Sequence, residues 1–158
     1  MNQSTLEQLV KEHHRDAFIW ARQCCGYNHD DAKEVLQMAY LKIWEGKAKF
    51  SGKAQFKTWL FSVIRFTAID HSKKSRPFEG LDHLTIAEDA PQEIDTINYK
   101  ALLSRLPERQ HQVLLLAFYH SMTLAEIAAI TELHIGTVRT HYERGKIALR
   151  ELILKEKV

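Results

Sequence analysis

Residues 123–152 read TLAEIAAITELHIGTVRTHYERGKIALREL, and how this stretch folds decides the architecture. Thr123-Leu-Ala-Glu126 has the spacing of a capping box, in which the threonine hydroxyl and the glutamate carboxylate each accept from the other's backbone N–H. It starts a short helix, LAEIAAI. After a break at about Thr131 to His134, a second helix begins near Gly136 and is expected to turn Val138, Tyr142, Ile147, Leu149 and Leu152 inward. Two short helices joined by a tight turn form a helix-turn-helix, whose second helix is narrow enough for the DNA major groove. Thr137, Arg139, Thr140, His141, Glu143, Arg144 and Lys146 fall off the inward stripe. They supply donors for phosphates and base edges, and Glu143 an acceptor for a cytosine amino group. Periodicity alone leaves open a helical hairpin with a merely solvated face.

Upstream, from Ala101, ALLSRLPERQHQVLLLAFYHSM continues the helical pattern, with Pro107 suited to the first turn of a helix. Before it, residues 77–98 lack sustained periodicity and contain two of the three prolines, and residues 77–99 hold six acids and no Lys or Arg. They read as an acidic linker between residues 1–76 and 99–158, able to span on the order of 65 Å at ~3.3 Å per residue. Charge elsewhere is uneven as well. The net charge of +2 conceals a block at residues 46–76 with eight basic residues against one acid, a footprint suited to a polyanion.

Toward the N-terminus, Leu6, Leu9, Val10, Ala17, Trp20, Ala21 and Cys24 keep helical spacing up to Gly26. Next, DDAKEVLQMAYLKIWEG places Ala32, Val35, Leu36, Ala39, Tyr40 and Ile43 on an inner stripe, with Asp30 or Asp31 as cap. A basic loop, KAKFSGKAQ, leads to FKTWLFSVIRFTAIDHSKKSR at residues 56–76. On a helical wheel Phe56, Trp59, Leu60, Val63 and Ile64 share one broad side, and Phe56 and Trp59 read as core. Phe61 falls opposite, between Lys57 and Arg65. An exposed aromatic between cations suits single-stranded DNA, where a stacked base is worth about 1–3 kcal/mol. No segment alternates with the period of a strand, so the expected fold is all-α: two small helical domains on a flexible tether.

Composition excludes several classes. A hydrophobic fraction of 45% supports real cores, yet no apolar run approaches the ~20 residues of a membrane span. The charged N-terminus MNQSTLEQLVKEHHRD is no signal peptide, so the chain is expected to be cytoplasmic. Cys24 and Cys25, adjacent in sequence, read as reduced packed thiols. The nine histidines are scattered, with no pair at metal-ligand spacing beside a carboxylate, and no Gly-rich phosphate loop exists. No cofactor, metal, catalytic residue or small-molecule substrate is therefore expected, and His13 and His14 read as surface or core-edge residues.

LPERQHQVLLLAFYHSMTLAEIAAI followed by GTVRTHYERGKIALREL resembles region 4 of the bacterial sigma factors. DDAKEVLQMAYLKIW followed by FSGKAQFKTWLFSVIRFTAID is similar to their region 2. The pair, in this order, resembles the small extracytoplasmic-function group. That resemblance implies a dissociable subunit of RNA polymerase whose first domain melts the minus-ten element and whose second reads the minus-thirty-five element. It implies as partners core polymerase, through its large beta-prime and beta subunits, promoter DNA and an anti-sigma factor.

Carried onto this chain, the resemblance puts a flipped-base pocket in the loop 47–55, where Lys47, Lys49, Phe50 and Lys53 lie. Lys57, Phe61 and Arg65 follow on the helix, and His71, Lys73, Lys74 and Arg76 would hold duplex backbone. The helix Asp31 to Trp44 would dock on the polymerase through Asp31, Glu34, Gln37, Met38 and Leu41, although Leu41 and Trp44 lean toward the core by pattern. Lys33 and Met38 stand where the family usually carries acids. Glu132 stands where it usually has glycine, and a left-handed backbone there costs about 1 kcal/mol or more. His141 replaces a usual arginine. The acidic linker either mimics RNA in the polymerase channel or is a plain tether.

Two other classes compete with a promoter-specificity factor. A plain helix-turn-helix regulator leaves the basic aromatic helix unexplained. A sigma mimic titrating an anti-sigma protein usually carries a receiver domain, for which 158 residues leave no room.

Overall fold

The structure, a computed structural model, describes residues 2–74 and 99–157. The expectations for Arg76 and for the linker 77–98 lie outside these residues. The chain divides into two units, residues 1–90 and 91–158, and among the described residues every element is helical.

In the first unit, α1 (Gln3–Cys24) is capped by Asn2, whose side chain accepts from the Thr5 N–H at 2.8 Å. Gly26 and Tyr27, both with positive φ, then reverse the chain. The cap of α2 (His29–Trp44) is Asn28, accepting from the Asp31 N–H at 2.9 Å, rather than Asp30 or Asp31. Those two carboxylates sit in the first turn instead, where the positive end of the helix dipole favours them. α3 (Phe56–Lys74) packs against both α1 and α2.

A helix held between two others must bury two strips of its surface, and α3 does. Phe56, Leu60 and Ile64 face one way, and Phe61, Arg65 and Ala68 are also buried. Trp20 and Phe61 are fully buried and stack at 5.4 Å between centroids, 3° from parallel. The Trp20 indole N–H donates to the Phe61 carbonyl at 3.1 Å, satisfying the buried donor. On α2 the inner stripe Ala32, Val35, Leu36, Ala39 and Ile43 is buried as its spacing predicts, with Tyr40 at its edge. Burial pushes the Cys25 thiol up to about 12, with Asp31 adding to it, and raises Cys24 as well. Both are free cysteines, and their thiols stay protonated.

The second unit holds α4 (Tyr99–Leu103), α5 (Glu108–Leu114), α6 (Leu124–Thr131) and α7 (Ile135–Lys157). Pro107 takes the cap position of α5 rather than its first turn. α5 runs into a π-helical turn over Leu115–Tyr119, a widening that the apolar pattern LLAFY does not announce. The capping box forms as read: the Glu126 N–H reaches the Thr123 hydroxyl at 3.1 Å and the Thr123 N–H reaches the Glu126 carboxylate at 2.9 Å. Glu132 ends α6 at φ 63°, ψ 28°, the left-handed conformation expected there. α7 crosses α5 at Gly145, where an added Cβ would come within 3.1 Å of the Leu114 side chain. Glycine permits that approach. Among the described residues, no helix is long and apolar enough to cross a membrane.

Candidate nucleic-acid interface

Three surfaces carry the residues singled out by sequence: the outer side of α7, the loop and helix around α3, and the outer side of α2.

On α7, the turn at Glu132 sets the helix start, and Val138 and Gly145 anchor its inner side. Thr137, Arg139, Thr140, Glu143 and Arg144 are exposed on the opposite side. The Thr140 hydroxyl donates to the Gly136 carbonyl at 3.1 Å, which leaves its lone pairs and methyl group outward. His141 and Lys146 are only part-exposed. The Lys146 ammonium lies 4.4 Å from the Tyr142 ring centroid and 3.5 Å from Glu143, so it leans back along the helix. Ile147, expected inside, is 56% exposed. It falls three residues after Arg144 and seven after Thr140, on the same open side.

On α3 the structure overturns part of the sequence reading. Phe61 is fully buried against Trp20, and Arg65 is buried too. Lys57 is turned inward: its ammonium pairs with Asp16 at 3.2 Å and lies 5.6 Å from the Phe61 ring. The three residues expected to grip a single strand instead help hold α3 in place. The wheel put Phe61 outside because it allowed one packing side where the fold has two. The exposed aromatic of α3 is Phe66, at 42%. It shares an open stripe with part-buried Trp59, Ser62 and Ile69 and with exposed Lys73, spaced by three or four residues. Trp59 is thus an edge residue, whereas Phe56 is core as expected.

Before α3, Lys47, Lys49 and Lys53 are exposed, and glycines with positive φ at Gly46 and Gly52 bend the loop. Phe50 is half-buried, 5.5 Å from the Phe56 ring and 5.3 Å from Trp59. The loop therefore sits on an aromatic floor. At the far end of α3, Lys73 and Lys74 are exposed, but His71 is part-buried and turned toward α2. Its Nε2 faces Asp31 at 3.3 Å and Glu34 at 3.9 Å, with its side chain 16% exposed. Sequence spacing gave no sign of this meeting, because forty residues separate His71 from Asp31.

On α2, Glu34, Gln37, Leu41 and Trp44 are exposed, while Asp31 and Met38 are part-buried. Leu41 at 53% and Trp44 at 41% are not core residues. They extend the polar contacts Glu34 and Gln37 into one outer stripe that is apolar toward its C-terminal end.

Each of the two units matches a known protein family. The Sigma-70 region 2 family matches residues 9–77, and the Sigma-70 region 4 family matches residues 97–149. The chain is 28% identical to the ECF RNA polymerase sigma factor SigW of Bacillus subtilis, over 78% of this chain and 76% of that protein. It is 27% identical to the ECF sigma factor RpoE of Cereibacter sphaeroides, over 76% and 71% respectively. Among solved structures, the sigma factor RpoE bound to the anti-sigma factor NepR from Bartonella quintana has a TM-score of 0.78 at 22% identity. That match covers 94% of this chain and 96% of the other. CnrH, solved with the cytosolic domain of CnrY, has a TM-score of 0.67 at 22% identity, over 96% and 89%.

Proposed function

Because the chain belongs to the sigma-70 family, in its extracytoplasmic-function group, we propose that it acts as a promoter-specificity subunit rather than as a catalyst. It binds core RNA polymerase in the cytoplasm, recognises promoter DNA and promotes strand opening. The observation that carries this reading is the presence of both regions, in order, on one chain. A plain helix-turn-helix regulator needs only the second.

In this reading the open side of α7, with Thr137, Arg139, Thr140, Glu143 and Arg144, lies in the major groove, and Lys146 and His141 sit at its flanks. Arg144 is suited to a bidentate guanine contact. Ile147 adds an apolar contact for a thymine methyl. Opening falls to the lysine-rich loop 47–53 and its aromatic floor, and to Phe66 and Lys73. Phe61 has no part in it. Exposed rings on which bases stack and lysines that neutralise phosphates are the two kinds of contact single-stranded DNA needs. The α2 stripe of Glu34, Gln37, Met38, Leu41 and Trp44, with Asp31, docks on the polymerase. An anti-sigma factor is the expected regulator, since the similar RpoE was solved with the anti-sigma factor NepR.

Transcription in vitro tests the whole reading. Purified core polymerase and a pool of promoter fragments should yield defined transcripts only when this chain is added. Failure of the chain to associate with polymerase, or association that leaves every template closed, would overturn it.

A further inference from the structure

Asp31, Glu34 and His71 bring their ligating atoms within 4.8 Å of one another. Asp31 and Glu34 lie one turn apart at the start of α2, and His71 comes from the last turn of α3. We propose that these three side chains form a site for a divalent transition metal, zinc before others, that ties the start of α2 to the end of α3.

The donor set and its spacing both point this way. Zinc binds carboxylate oxygen and imidazole nitrogen at about 2.0–2.2 Å, so neighbouring donors in a tetrahedral site stand roughly 3.3–3.6 Å apart. His71 Nε2 already stands 3.3 Å from the Asp31 oxygen and 3.9 Å from that of Glu34. All three atoms lie within 4.8 Å of one another, and the closing movement falls to Glu34, whose side chain is 60% exposed. His71 is the more tightly held ligand, at 16% exposed, and it arrives with its nitrogen aimed at both acids. An imidazole among the donors favours zinc, cobalt or nickel over magnesium, which prefers an all-oxygen octahedron. Three protein donors leave a fourth position for water or for a donor from a partner.

A bound divalent ion would neutralise two carboxylates of the docking stripe. Metal loading therefore weakens polymerase capture, a consequence that rests on the docking role given to α2. The site itself does not depend on that role.

The free full-length chain, stripped with EDTA and titrated with zinc chloride and separately with cobalt chloride, tests the site. Wild type should be stabilised by zinc, and cobalt should develop the strong visible bands of a four- or five-coordinate ion. Glu34→Gln, a surface change, and His71→Gln, checked for retained helicity, should each weaken binding by about a hundredfold. That is the upper end of the 10–100-fold range typical of losing even an outer partner. Binding unchanged in both variants would overturn the site, as would no binding to wild type. So would a thiolate-to-cobalt charge-transfer band abolished by Cys25→Ser. Polymerase capture of the wild-type chain, with zinc against EDTA, then tests the coupling. Equal capture would overturn the coupling alone.

Discussion

α3 and α7 are the two long helices that carry most of the DNA-facing candidates, and they obey different packing rules. α7 buries one stripe, through Val138 and Gly145, and leaves the other side to solvent. α3 is held by α1 on one side and α2 on another, and buries Phe61 and Arg65 as well as Leu60 and Ile64. Reading a helix for what lies off its apolar stripe works where one neighbour covers it. Where two neighbours do, an aromatic off the main stripe is as ready to be a second core residue as a binding residue. The basic character of residues 46–76 survives this correction in the loop lysines and the end of α3, but not in the middle of the helix.

The sharpest way to break the comparison is to remove the ring that distinguishes the two helices. Phe61→Ala should destabilise the first unit by about 3–5 kcal/mol, the usual range for truncating a buried phenylalanine. Urea unfolding followed by circular dichroism reads this directly. Phe66→Ala, on the open stripe, should stay within about 0.5 kcal/mol of wild type. It should lower permanganate reactivity of promoter thymines instead. If the two substitutions changed places in these assays, the two-sided packing of α3 would be wrong.

On α7, Arg144→Ala should weaken promoter binding by about 1–3 kcal/mol and relax preference at a single base pair. Binding competitions across a set of single-base promoter variants separate this from a phosphate contact, which would lower affinity equally on all of them. Arg65→Ala on α3 should show no such base dependence.

Smaller still is the effect at the turn that orients α7. Glu132 holds φ 63° without being glycine, and Glu132→Gly should raise the stability of the second unit by about 1 kcal/mol. A lower melting temperature would show that the glutamate side chain contributes more than its backbone strain costs.

The smallest expected effect is on pH dependence. Burial lowers the His111 imidazole below its ordinary 6.5, against an opposing pull from Glu108. The folded unit thus keeps it neutral where the unfolded chain takes up a proton. Its contribution to stability is complete above 6.5, and it declines as pH falls through that value toward the lower folded pKa. Comparing wild type with His111→Gln across this window should show a shallower loss in the variant. Parallel curves would remove the burial argument.

Local rules were enough for much of this molecule. The spacing of apolar residues marked every long helix, the Thr123 to Glu126 pattern marked the capping box, and the stretch from Gly136 onward marked most of the outward side of α7. Such features depend on residues within one or two turns of each other, where backbone geometry dictates the neighbours. Paired likeness to two sigma regions then identified the family. Tertiary structure alone decided what lies against what across the chain. It placed Phe61 on Trp20, left Phe66, Leu41, Trp44 and Ile147 uncovered, and brought His71 to Glu34 and to Asp31, forty positions away. Those pairings depend on how many neighbours surround each helix, which no periodicity within a single helix can encode.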